Sequence, residues 1–147
     1  MNLIIGQGAI TSTPIQVANA YRTLISGNLS YPYINKNRES QPEESIGVTE
    51  DFVNFLLKDL NSVTNEGGTA HASFSILGNE VKDVGGKTGT AQNSGDKNNT
   101  SWFVGVDSVS NPRYIIATVV EEGGSGSAIA APVTRRVIPV SYTHLRA

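Results

Sequence analysis

Apolar residues recur at helical spacing twice in the first half of the chain, then give way to compact apolar runs of strand type. The first helical stretch begins at Thr13-Pro14-Ile15-Gln16. Thr13 can cap it, Pro14 fits the first helical position, and Gln16 completes a capping box. Val17, Tyr21 and Leu24 then line one face, with Ala18 and Ile25 beside them, and Gly27 is a natural stop. Thr49 caps a second helix, with Glu50 and Asp51 near the positive end of its dipole. Phe52, Phe55, Leu56 and Leu60 recur at helical spacing, and Val53 and Leu57 widen the stripe. This pattern fades at Asn65 and ends at Gly67-Gly68. Both stripes are expected to face a core.

Strand-type patterns follow. Gly85 to Gln92 carries two β-branched threonines and is expected to be extended. Trp102-Phe103-Val104-Gly105-Val106 reads as a second strand. Tyr114 to Val120 is a nearly unbroken apolar run, the pattern of a strand buried on both faces. Asn111-Pro112 marks the turn between these two, which predicts an antiparallel hairpin. Ala128 to Ile138 reads as a final helix with Pro132 in its first turn. Among the remaining pieces, Met1 to Ile10 is an apolar segment breaking into Gly6-Gln7-Gly8. Asn28 to Val48 is an exposed connector, in which Tyr31-Pro32-Tyr33-Ile34 suits a short edge strand and Lys36 to Glu44 a solvated charged face. Thr69 to Asp83 is irregular around Phe74, Ile76 and Leu77; Asn93 to Thr100 is a hydrophilic loop, and Glu121 to Ser127 a glycine-serine link. The order helix, helix, strand, strand, strand, helix predicts an α+β class: an antiparallel sheet flanked by helices.

Composition sets bounds on this picture. The chain has 147 residues, is 38% hydrophobic and carries a net charge of −2, which suits one domain or part of one. Lys and Arg are scattered, so no nucleic-acid partner is expected. The sequence holds no apolar run of membrane-spanning length, and its opening residues are not expected to be a signal peptide. It has no cysteine, and its two histidines stand far apart with no clustered carboxylates, so neither a metal nor a cofactor is expected. His71, with no acid or serine pattern near it, reads as structural.

The candidate chemistry sits in Gly85-Gly86-Lys87-Thr88-Gly89-Thr90-Ala91-Gln92. Glycine removes the side chains that would keep a ligand from bare backbone. On a strand, Lys87 and Gly89 point to one face and Thr88 and Thr90 to the other. A cation flanked by hydroxyls suits a carboxylate. A phosphate loop would need a glycine where Val81 stands and a helix straight after Thr88, and both are missing. The competing pattern is the Lys-Thr-Gly element of serine acyl-transferases that act on D-Ala-D-Ala peptides and β-lactams.

Other segments carry the same signal. Ile5-Gly6-Gln7-Gly8, followed by Thr13-Pro14-Ile15-Gln16-Val17-Ala18-Asn19-Ala20-Tyr21, resembles the segment before the third motif of penicillin-binding protein transpeptidase domains. Gly68-Thr69-Ala70, the Lys87 stretch, Trp102-Phe103-Val104-Gly105 and the helix around Ala130-Ala131-Pro132 continue the resemblance in family order, over residues 4 to 138. Thr90-Ala91-Gln92 leans it toward the class B, monofunctional type. The resemblance implies an acyl-serine D,D-transpeptidase that cross-links peptidoglycan stem peptides and binds β-lactams. It also implies a parent anchored at the extracytoplasmic face of the bacterial membrane, alongside other cell-wall synthesis proteins. Lys87 would supply positive potential beside the nucleophile. The Thr88 and Thr90 hydroxyls would bind the terminal carboxylate, the Thr90 N–H would serve as an oxyanion donor, and Gly89 would keep the strand flat against the ligand. The catalytic assignments are Lys87 and Thr90, and the substrate-binding ones Thr88, Gly89 and Thr90.

The family's Ser-x-x-Lys and Ser-x-Asn motifs normally lie upstream of the Gly-Gln-Gly segment, and the chain starts too late to hold them. Ser94-Gly95-Asp96-Lys97 and Ser26-Gly27-Asn28 match these patterns only in composition, at the wrong places in family order. Residues 1–139 are therefore expected to be the C-terminal part of a transpeptidase domain, inactive alone, and residues 140–147 a non-native tail. A β-lactamase or β-lactam sensor, and a non-catalytic carboxylate-binding module, are the alternatives.

Overall fold

The computed structural model describes residues 11–35 and 42–144. Helix α1 spans Pro14–Ser26, and its start follows from local chemistry. The Gln16 N–H donates to Thr13 Oγ1 at 3.3 Å while the Thr13 N–H donates to Gln16 Oε1 at 2.8 Å. Gly27, at φ 72°, ends the helix and donates its N–H to the Thr23 carbonyl. Helix α2, Glu50–Thr64, starts the same way, with the Phe52 N–H donating to Thr49 Oγ1 at 3.2 Å. Between the two helices, β1 (Asn28–Leu29) pairs antiparallel with β2 (Glu44–Ser45).

A short helix α3, His71–Phe74, leads through 3₁₀ turns (Ser75–Asp83) into β3, Gly85–Ala91. Strands β4 (Thr100–Val106) and β5 (Ile115–Val120) complete a three-stranded antiparallel sheet of order β3-β4-β5. A π-helical turn at Gly126–Ala130 opens into α4, Ala131–His144. The α+β class and the antiparallel hairpin are as the sequence predicts.

The register fixes the layers. Thr88 pairs with Phe103 and Lys87 with Val104, so alternate residues of β3 share their faces with alternate residues of β4. The Phe103 face is the core. Phe103 and Phe74 are both fully buried and stack at 5.4 Å, surrounded by Val81, Val84, Ala70, Ala130, Ala131 and Ile138. A Cβ on Gly86 would overlap the Phe103 ring, so only glycine lets that ring lie under β3. α4 packs on this face, where Thr134 Oγ1 meets Thr118 Oγ1 at 2.7 Å. α2 approaches β3 from its start: Asn61 and Thr64 both donate to the Val84 carbonyl, at 2.8 and 2.6 Å.

Several expectations are corrected. Tyr31 to Ile34 forms no strand, and Tyr31 and Ile34 are exposed. Pairing occurs at Asn28–Leu29 instead, where Arg22 donates to the Asn28 carbonyl and Ser30 Oγ and pairs with Glu43. Glu43 therefore belongs to an ion pair within the predicted charged face, whose residues 36–41 lie outside the described residues, as do residues 1–10. β5 is half-buried along its whole length rather than buried on both faces, because it is an edge strand of the sheet among the described residues. Phe52 and Phe55 are 43% and 63% exposed, since the ties to Val84 hold only the C-terminal half of α2 against β3. Thr69 to Asp83 is mostly helical turns, and of Phe74, Ile76 and Leu77, its expected apolar centre, Phe74 alone is buried, while Ile76 is exposed. α4 carries Pro132 as its second residue and continues through residues 140–144.

Two carboxylates hold the turn after β4: Asp107, whose Oδ1 accepts the Arg113 and Tyr114 N–H groups at 3.0 Å each, and Asp83. Ser108 Oγ and Ser110 Oγ donate to Asp83 Oδ2 at 2.6 and 3.0 Å, and the Ser110 N–H to Oδ1 at 2.9 Å. Partial burial pushes the Asp83 pKa up, but these hydrogen bonds outweigh it and hold the group below its ordinary value. A pKa lowered by folding stabilises the fold above the unfolded value, and that stability is lost as pH falls through the folded value. The expected result is a urea midpoint that falls as pH drops below the ordinary carboxylate range. Asp83→Asn should flatten that slope; an unchanged slope would remove Asp83 from the account.

Candidate functional site

The exposure of β3 changes along its length: Gly85 and Gly86 are buried, Lys87 and Thr90 exposed, Thr88 and Gly89 half-buried. β4 occupies one edge of the strand, and among the described residues no strand occupies the other. An unoccupied edge leaves backbone groups that can pair with an extended peptide. All four of the predicted site residues therefore lie on one open strand.

Each has an identifiable setting. Lys87 Nζ donates to the Thr88 carbonyl at 2.8 Å, so the ammonium folds back along the strand. Thr88 Oγ1 lies 3.3 Å from Thr69 Oγ1. Thr90 Oγ1 accepts the Gly126 N–H at 3.1 Å. Gly89 faces Trp102 across the ladder, and its missing Cβ would sit 3.1 Å from Trp102 Cβ, a tight but not prohibitive approach. The Lys87/Gly89 and Thr88/Thr90 alternation read from the sequence agrees with the register.

Two neighbours carry no chemical signal of their own in the sequence. Gly126 falls in the segment read as a glycine-serine link, yet it is buried on β3, where a Cβ would overlap the Gly89 and Trp102 carbonyl oxygens. Composition does not separate a solvated link from a close backbone approach. Thr69 stands in the Gly68-Thr69-Ala70 segment of the family resemblance, but nothing local assigns it to Thr88.

The two composition look-alikes sit elsewhere. Ser26 Oγ accepts the Asn28 N–H at 3.2 Å in the turn that closes α1. Lys97 pairs with Glu122 at 3.8 Å, and both line an open 530 Å³ depression beside Ser94 and Trp102. A 430 Å³ groove between α1 and β5, with Arg22 and Arg113 in its wall, also lies away from Lys87. Neither concavity is lined by Lys87, Thr88, Gly89 or Thr90. His71 is half-buried on α3. Among the described residues no group of three His, Cys, Asp or Glu side chains could hold a metal ion, and no helix is long and apolar enough to cross a membrane.

Residues 2–139 match the profile of the penicillin binding protein transpeptidase domain. The peptidoglycan D,D-transpeptidase MrdA of Haemophilus influenzae is 30% identical over 166 residues, covering 91% of this chain and 24% of the relative. The peptidoglycan D,D-transpeptidase FtsI homolog of Mesostigma viride is 26% identical, covering 90% of this chain and 27% of that protein. The penicillin-binding protein PBP2 of Helicobacter pylori, solved in complex with MreC, superposes with a TM-score of 0.80 at 26% identity, over 95% of this chain and 26% of that one. The chain thus spans about a quarter of the length of these relatives. It belongs to the penicillin-binding protein transpeptidase family.

Proposed function

We propose that β3 is the carboxylate-binding and oxyanion-binding strand of a peptidoglycan D,D-transpeptidase, acting with a nucleophilic serine outside these 147 residues. The observation that carries this reading is the open edge of β3, along which one exposed ammonium and two hydroxyls follow each other. The serine oxygen attacks the carbonyl between the two terminal D-alanines of a stem peptide. Its proton passes to the departing amine, the C–N bond breaks, and D-alanine leaves. The amine of a second strand then attacks the acyl-serine, forming a new amide and returning the proton to the serine. Two easier steps replace one hard one.

Each residue of β3 has a part. Lys87 sets a positive potential at the reacting centre. The Thr88 and Thr90 hydroxyls donate to the terminal carboxylate, or to that of a β-lactam. The Thr90 N–H stabilises the oxyanion, and Gly89 lets the ligand lie against the backbone. The enzyme works at the extracytoplasmic face of the membrane, with other cell-wall synthesis proteins as partners. The test is covalent uptake of a fluorescent penicillin. The complete transpeptidase that contains this stretch is expected to be labelled and to deacylate slowly, and these 147 residues alone to remain unlabelled. Absent labelling of the complete protein would sink the proposal, labelling of the chain alone at Ser94 would relocate the nucleophile, and rapid deacylation would make it a β-lactamase.

A further inference from the structure

We infer that Thr69 is a positioning residue for the anion site, holding the Thr88 hydroxyl so that its proton points to the substrate carboxylate. This rests on the reading of β3 as the carboxylate-binding strand. Thr69 Oγ1 lies 3.3 Å from Thr88 Oγ1, although the residues are 19 apart in the chain. The approach is built in by the backbone around Thr69. The Gly68 N–H donates to the Asn65 carbonyl at 2.9 Å, the Ala70 N–H to the Val63 carbonyl at 2.9 Å, and the His71 N–H to the Gly68 carbonyl at 3.1 Å. Asn65 Nδ2 ties the same turn to the Asn61 and Val81 carbonyls, at 2.9 and 3.3 Å. Ala70 is buried in the core. Gly68 lies so close to the end of α2 that a Cβ there would overlap the Ser62 and Val63 carbonyls. The turn is fixed to α2, and α2 is fixed to the residue just before β3 by Asn61 and Thr64.

The two hydroxyls of β3 thereby receive the same treatment. A threonine hydroxyl has one proton to donate and lone pairs to accept. Thr90 Oγ1 already accepts from the Gly126 N–H, a group that can only donate, so its own proton is free for a ligand. Among the described residues Thr88 has no backbone donor of that kind, and Thr69 takes its place. When Thr88 donates to a carboxylate, the Thr69 O–H donates to Thr88, and the chain of two hydroxyls is polarised toward the anion. Valine at position 69 would keep the branched shape and remove the proton. Serine would keep the proton.

The test is the acylation rate of the complete transpeptidase with a penicillin and with the methyl ester of that penicillin, which lacks the anionic carboxylate. Thr69→Val is expected to slow the acid by about fivefold to tenfold, the effect of one lost hydrogen bond in a network, and to leave the ester rate unchanged. Thr69→Ser should restore the acid rate. In a Thr88→Val background, Thr69→Val should have no further effect. Equal slowing of acid and ester, or a Thr69→Ser variant as slow as the valine one, would overturn the inference, as would an unchanged acid rate in Thr69→Val. No acylation of the unsubstituted enzyme by either compound would overturn the reading of β3 itself, and the inference with it.

Discussion

Lys87→Ala is expected to slow acylation by penicillin about 10²- to 10³-fold, the usual effect of losing one preorganised electrostatic contact to a developing charge. The Lys87 side chain is exposed, and among the described residues it forms no ion pair with a carboxylate. Among the described residues its one side-chain hydrogen bond is to the Thr88 carbonyl, on its own strand. The charge is therefore not neutralised by a carboxylate within the described residues. Because the side chain is exposed, the substitution should leave the melting temperature within about 1 °C to 2 °C, as for a surface change of at most ±0.5 kcal/mol. A large loss of rate with intact stability separates a site lysine from a structural one. Lys87→Arg should recover only part of the rate, because a planar guanidinium does not replace a compact ammonium. An alanine variant acylated at the unsubstituted rate would remove Lys87 from the mechanism.

What the sequence made legible follows the range of the interactions. The start of α1 was readable because the Thr13–Gln16 bonds join residues three apart. The strand at Lys87 was readable because glycines and β-branched residues bias the backbone locally, and its alternation follows from geometry alone. Burial was less readable, since it depends on what lies across the sheet. The apolar run of β5 reads as doubly buried, yet as an edge strand it is covered only in part. Ile76 and Phe74 look equivalent in sequence, but only Phe74 reaches the Phe103 ring. Phe52 and Phe55 fit the helical stripe of α2 as well as Leu60 does, and what separates them is where α2 meets Val84. The site shows the same division. Lys87, Thr88 and Thr90 form one contiguous pattern, whereas Gly126 reaches Thr90 across 36 residues of chain through a single backbone N–H.

That long-range contact gives the second large expected effect. Gly126→Ala should both destabilise the fold and slow acylation. Gly126 is buried where the π-helical turn crosses β3 and β4, and a Cβ would overlap the Gly89 and Trp102 carbonyl oxygens. Backbone atoms of two sheet strands cannot swing aside as a side chain can, so the turn must lift. Lifting would break the Gly126 N–H bond to Thr90 Oγ1 and strain two bonds that hold the turn, from Ser101 Oγ to the Ser125 carbonyl at 2.9 Å and from the Ala130 N–H to Ser101 Oγ at 3.0 Å. Overpacking of this kind costs about 1–3 kcal/mol of stability. With its fixed donor gone, the Thr90 hydroxyl can rotate, and acylation is expected to fall about tenfold, corresponding to a hydrogen bond to a charged group of about 1.5 kcal/mol. Ala128→Ser, at an exposed position of the same turn, is the control and should change neither quantity. Rates measured well below the melting temperature keep the two effects apart. If Gly126→Ala loses stability but acylates at the unsubstituted rate, the bond from the π-helical turn is structural only, and Thr90 needs no help in facing its ligand.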